Sequence, residues 1–196
     1  MGELSLSKSG LQKERNQFKL YKKVLPSLDL KRQQLTAEHN KAKEALVHIQ
    51  RELEEVKVRS AEQLPMLALE DIPLSGLVEL DTADIGQENI VGIKLPVVKE
   101  VRCTVRDYSL LAKPHWVDVL VECLKKTIEV HIRIQVAEER VRVLAHAMRR
   151  ITQRVNLFEK VLIPTAKKNM QRIQIFLGDT ERTSVVRSKL AKKKSG

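Results

Sequence analysis

Apolar residues recur along this chain on a 3.5-residue beat, once near each end. From Leu11 the positions alternate by three and four residues: Leu11, Glu14, Phe18, Tyr21, Leu25, Leu28, Arg32, Leu35, His39, Ala42, Leu46, Ile49, Leu53, Val56. Eleven of these 14 are apolar and the phase never slips. A second seam runs through Trp116, Leu120, Cys123, Thr127, Val130, Ile134, Ala137, Val141, Leu144, Met148, Ile151, Val155, Phe158 and Leu162, with 13 of 14 apolar. A repeat held this long makes helices supercoil left-handedly about each other. The expected architecture is therefore dominated by α-helix. It is a long, left-handed, antiparallel two-helix coiled coil, with a small element containing a β-hairpin at its tip.

The breakers divide the chain further. The N-terminal helix is expected over about 9–62, passing through Pro26 as a kink, since the seam keeps its phase there. Residues 63–113 form the connecting tip, where Pro65, Pro73, Gly76, Gly86, Gly92 and Pro96 gather. Within it, residues 90–95 and 97–105 are rich in β-branched side chains. Val101, Cys103 and Val105 alternate with polar neighbours, as in a half-buried strand. There is room for a short helix at 66–70. The second helix is expected from Pro114 to Leu177, with Gly178 as its C-cap and Pro164 as a second kink. Past Pro164 the apolar positions become Ile163, Ala166, Met170, Ile173 and Leu177, one residue out of the earlier phase. Residues 179–196 read as a basic tail. Equal helices on either side of a compact linker favour pairing within one chain, because the partner seam is already tethered.

Composition narrows the function. Charged residues make up 31% of the chain and aromatic residues 3%, a profile of narrow apolar stripes and not of a thick core. No apolar run approaches the length of a membrane span, and the N-terminus lacks the pattern of a signal peptide. Cys103 and Cys123 form no Cys-x-x-Cys pair and read as reduced structural thiols. Net charge is +11, distributed as +5 over residues 1–60, −4 over 61–114 and +10 over 115–196. Two ends of such different charge suit different partners.

The sequence offers little chemistry. It has no P-loop string and no His-Glu-x-x-His. The histidines are scattered, and His39, on a seam, reads as a satisfied core residue. Glu14 and Arg32 interrupt the first seam and read as register-setting positions, or as contacts to another chain. Glu54-Glu55 and Glu138-Glu139 read as solvated helix charges. No catalytic residue, cofactor or metal site is expected. The excess of Lys and Arg admits a basic coiled-coil scaffold or a nucleic-acid binder as the alternative, although aromatics for stacking on bases are nearly absent.

Two stretches carry a family resemblance. Leu20-Tyr21-Lys22-Lys23-Val24-Leu25-Pro26-Ser27-Leu28-Asp29-Leu30-Lys31-Arg32 resembles the N-terminal helix of the D subunit, the central stalk, of V-type and A-type rotary ATPases. Arg149-Arg150-Ile151-Thr152-Gln153-Arg154-Val155-Asn156-Leu157-Phe158-Glu159-Lys160-Val161-Leu162-Ile163-Pro164, and then Ile175-Phe176-Leu177-Gly178-Asp179, resemble its C-terminal signature. The chain looks like the compact bacterial or archaeal type, and Thr165-Ala166 stands where relatives often carry a charged residue. The resemblance implies a non-catalytic central rotor shaft. Its termini enter the cavity of a hexamer of catalytic and non-catalytic nucleotide-binding subunits. Its lower part meets the small F subunit of the stalk and the funnel-shaped subunit above the membrane ring. On that reading the chain is cytoplasmic and peripheral to the membrane, does not enter it, and binds no nucleic acid. It transmits torque between ATP hydrolysis or synthesis and the transport of protons or sodium. Lys13, Arg15, Lys19, Lys167, Lys168 and Arg172 are the expected cavity-facing charges, with Leu11, Phe18 and Phe176 as apolar contacts at the end of the shaft.

Overall fold

The structure, a computed structural model, describes residues 4–65, 76–106 and 116–194. The element order is α1 (Lys8–Gln63), β1 (Val78–Ile90), β2 (Ile93–Val105), α2 (Trp116–Leu157), a π turn (Phe158–Leu162) and α3 (Ile163–Lys194). None of the 28 seam positions read from the sequence is exposed. The 3.5-residue pattern therefore identified the inward face of both helices along their whole length. The stretch 66–70 lies outside the described residues.

The chain divides into two compact parts: residues 1–33 with 149–196, and residues 34–148. The terminal part pairs the start of α1 antiparallel with the end of α2 and α3. Lys8 lies 3.6 Å from Glu181, and the rings of Tyr21 and Phe158 meet edge to face at 5.5 Å. Its core is Ile151, Val155, Ala166 and Ile173. Ser7 caps α1, its Oγ accepting the Gly10 amide at 3.1 Å, which satisfies one of the orphan amides of the first turn. Gly10 is required there, because a Cβ would sit 2.2 Å from the Ser5 carbonyl oxygen.

The prolines act differently. At Pro26 α1 continues unbroken with the ring on its exposed side, so the carbonyl left without an amide can turn to water. Ser27 Oγ donates to the Val24 carbonyl at 2.8 Å beside it. Pro164 is preceded by the π turn, in which the Ile163 amide donates to the Phe158 carbonyl five residues back. A π turn takes in one residue more than an α turn. This accounts for the slip seen in the sequence. Ile151 and Ile173 are both buried although they stand 22 residues apart, three heptads plus one.

The expectation that Gly178 caps the second helix is corrected. α3 continues through it to Lys194. A glycine is permitted to leave the helix and is not obliged to, and its destabilising effect inside one is only about 1 kcal/mol. From Asp179 to Lys194 every residue is exposed.

The middle part pairs the rest of α1 with α2, again antiparallel, tied by Arg133 at 3.1 Å from Glu52. At one end Leu64, Leu77, Trp116, Val117, Leu120 and Val121 form a cluster, with Val78 and Val105 packed against it. The β-hairpin starts from this cluster. Its strands are 13 residues each, about 40 Å long; of the two apolar runs read from the sequence, 90–95 straddles the turn and 97–105 lies wholly within β2, so β1 is marked by neither except at Ile90. Pairing places Ile90 opposite Ile93, so Val91-Gly92 is the turn. Both have positive φ, 54° and 83°, as a two-residue turn of this twist demands. A β-branched residue is strained at that φ. Val91→Asn is expected to stabilise the hairpin by about 1 kcal/mol, read as slower hydrogen exchange of the strand amides.

The hairpin lies against helices. Leu95 on β2 is fully buried, Pro96, Val97 and Val98 share a groove with α1 and α2, and Glu88 on β1 is 2.9 Å from Arg140 on α2. Accordingly α2 has a second inward stripe off its seam, with Val117, Val121 and Ile132 buried.

Candidate interaction surface

A groove of about 390 Å³ in the middle part is lined by Ala42, Ala45, Ile49, Val97 and Ala137 among others. It has no nucleophile, and each charge on its rim is already engaged. Lys41 pairs with Glu38 at 3.0 Å, Arg133 with Glu52 at 3.1 Å and Arg140 with Glu88 at 2.9 Å. Among the described residues no group of His, Cys, Asp or Glu could hold a metal ion. His39 is buried on the seam, and no buried side-chain nitrogen or oxygen among the described residues lacks a partner. Cys103 and Cys123 are free, half-buried thiols. The Arg102 guanidinium hydrogen-bonds Glu100 at 3.0 Å. It holds that carboxyl below its usual range while its own pKa rises. The pair is solvent-exposed and serves the hairpin alone.

What remains is surface, and its charge is divided between the two parts. The terminal part carries 21 Lys and Arg against six Asp and Glu, net +15, and the middle part carries 15 against 19, net −4. The whole positive excess of the chain thus sits in the terminal part. Its ion pairs are sparse and exposed, such as Lys8–Glu181 and Arg182–Asp179 at 3.8 Å. Contacts of that kind are worth about 0–1 kcal/mol and leave the field largely intact.

All nine residues expected to face a partner fall in this terminal part. Lys13, Arg15, Lys19, Lys167, Lys168 and Arg172 are exposed. Leu11 and Phe18 are half-buried on the seam, and Lys22 lies over the Phe18 ring at 4.9 Å, a cation–π contact. Phe176 is 45% exposed, beside Ile175 at 65%. These two share a shallow apolar recess with Leu4 and Leu6 of the N-terminal segment. Sequence reasoning passed over the exposed Leu20, Leu157 and Val161. A heptad pattern marks what faces inward, and the only hint at the latter two was the one-residue slip just after them.

Residues 10–193 match the profile of a family described as the D subunit of ATP synthase, spanning both parts of the fold. The chain belongs to the ATP synthase D subunit family. Similar proteins include the V-type ATP synthase D subunit of Borreliella burgdorferi, 33% identical over 98% of this chain and 95% of the relative. The protein of the same name from Chlamydia muridarum is 34% identical over 98% and 96%, and that from Chlamydia pneumoniae 34% over 98% and 93%. The matched length takes in the hairpin and all but the first two residues of α1 and the last of α3. No helix among the described residues is long and apolar enough to cross a membrane.

Proposed function

We propose that this chain is the central rotor shaft of a V-type or A-type ATPase, a non-catalytic component that carries torque between the nucleotide-binding hexamer and the membrane rotor ring. The observation that carries this reading is the family match along an antiparallel coiled coil whose net positive charge is confined to the terminal part. A torque-bearing element must resist twist, and a helix pair packed along a continuous seam has few soft joints. The basic terminal part sits in the cavity of the hexamer, held by long-range attraction to an acidic lining with few close ion pairs. It is thus centred without being locked. Lys13, Arg15, Lys19, Lys167, Lys168 and Arg172 supply that field, and Leu11, Phe18 and Phe176 make the apolar contacts at its end. Pro26 and Pro164 are the bends that make the shaft unequal in different directions. The acidic middle part meets the small F subunit of the stalk and the funnel-shaped subunit. Closure of a catalytic site and the angle of the shaft are then linked reciprocally, as any coupling between sites must be. The ion moved, proton or sodium, is chosen elsewhere in the complex.

The test is reconstitution of the chain with the nucleotide-binding hexamer, with a bead on the shaft to follow rotation during ATP hydrolysis. Stepwise rotation is the expected result, and a hexamer that neither binds nor turns the chain would refute the reading. A chain ending at Gly178, which lacks six cations of α3, is expected to assemble with the small stalk protein and to lose coupling between hydrolysis and ion transport. Unchanged coupling would remove the case for the end of α3.

A further inference from the structure

The terminal part has two unlike flanks. In a heptad whose inward positions are called a and d, the g and c positions lie on one side and the e and b positions on the other. In an antiparallel pair the g sides of the two helices adjoin. Counting along the seams with Phe18 at a and Tyr21 at d, and with Val155 at a and Phe158 at d, the g and c positions include Leu20, Val24, Leu157 and Val161. The edge-to-face contact of Tyr21 with Phe158 brings these four to the same level. Leu20 is 55% exposed, Leu157 46% and Val161 47%, and Val24 is half-buried.

Above and below this patch the same flank carries Lys13, Lys31, Arg150 and Arg154, all exposed. Their side chains make no ion pair among the described residues, and no carboxylate occupies a g or c position over this stretch. The opposite flank, with Gln12, Arg15, Lys19, Lys22, Asp29 and Glu159, is polar apart from Pro26. The π turn begins at Phe158, between Leu157 and Val161. Turns of this kind are rare and recur at functional sites.

We propose that the flank bearing Leu20, Val24, Leu157 and Val161 is a docking surface for an acidic, apolar segment of a neighbouring ATPase subunit. The inference rests on the shaft reading above and adds to it. Apolar side chains of the partner cover the patch while its carboxylates meet Lys13, Lys31, Arg150 and Arg154. An apolar centre with a charged rim is the ordinary anatomy of a protein interface. Because the patch is on one flank only, a turning shaft offers it to one surrounding subunit at each moment. The shaft is thereby unequal in chemistry as well as in outline.

The experiment measures the affinity of the full-length chain for the nucleotide-binding hexamer and the hydrolysis rate of the resulting complex. The variants are Leu157→Asp with Val161→Asp, Arg150→Glu with Arg154→Glu, and Val58→Asp as a control on an exposed α1 position in the middle part. The first two pairs are expected to weaken binding by about tenfold or more with unchanged helical circular dichroism, and Val58→Asp to bind as the parent does. Patch variants that bind and drive hydrolysis like the parent would overturn this proposal and leave the shaft reading standing. A parent chain that fails to bind would overturn both. Weakening by the charge variants alone would overturn the apolar docking patch.

Discussion

Leu95→Ala is expected to release the β-hairpin from the helices while leaving both seams intact. Leu95 is fully buried, yet it belongs to a sheet of only two strands. A two-stranded ribbon has no interior and is marginal alone in water, so the surface that hides Leu95 must be helical. The groove of α1, α2 and β2 and the Arg140–Glu88 pair place that surface alongside. Large-to-small substitution at such a site costs about 2–5 kcal/mol. That is enough to open a subglobal element well before the whole molecule. The measurement is hydrogen exchange of the β1 and β2 amides, which should lose protection while α1 and α2 keep theirs. Ile85→Ala, at a position 50% exposed, is expected to change protection by less than about 0.5 kcal/mol. Equal effects at Leu95 and Ile85 would mean that the hairpin does not rest on the helices.

A pair of single-residue deletions should differ still more. Deleting Glu44, an exposed residue in α1, turns everything after it by about 100° about the helix axis. Leu46, Ile49, Leu53 and Val56 would leave the seam together. At about 1.5–3 kcal/mol for each buried aliphatic side chain, the loss is several kcal/mol, comparable with the whole stability of a domain. The cooperative melting transition should disappear or fall by more than about 10 °C. Deleting Lys160 is expected to be tolerated when combined with Pro164→Ala. The π turn holds one residue beyond an α turn, and removing it puts Ala166, Met170, Ile173 and Leu177 on the uninterrupted beat of Ile151, Val155 and Phe158. Melting within a few degrees of the parent is the expected outcome. A collapse like that of the Glu44 deletion would show that the slip is not what the π turn absorbs.

Much of the fold was legible because a heptad pattern is local and redundant. Each of 14 positions per seam repeats the same instruction, so Glu14, Arg32 and His39 could interrupt the first seam without obscuring it. The phase slip at Pro164 was equally plain, since it shifts every later position. The hairpin was read only in part. Val101, Cys103 and Val105 alternate as a strand should, but Val78–Ile90 is acidic and mostly exposed, and Val91 hides the turn by being a residue that turns rarely use. Gly178 misled for the converse reason, since a helix end is set by the residues beyond the glycine as much as by the glycine itself.

The candidate surface was less legible than the fold. Its net charge can be counted from residues alone, and the basic ends were evident. The apolar patch was not, because periodicity reports what is inward, and an outward leucine looks like any other surface leucine. The echo of Tyr21–Pro26 in Phe158–Pro164 already suggests that these segments meet at one level, and the Tyr21–Phe158 contact fixes that level and puts Leu20 beside the stretch that holds Leu157 and Val161.

The sequence by itself determined the two helices, their inward faces, the antiparallel pairing, the basic ends and the family, since each is written in short-range spacing or in motifs of contiguous residues. Tertiary structure alone decided that the hairpin lies along the middle part, that α2 buries a second stripe, that α3 runs on through Gly178 and that a π turn takes up the extra residue. The place of the hairpin and the second stripe depend on which surfaces, far apart along the chain, exclude water from one another, and burial between distant segments leaves no periodic mark on either; the helix through Gly178, exposed from Asp179 onward, and the π turn are choices of backbone hydrogen bonding that residue spacing does not fix.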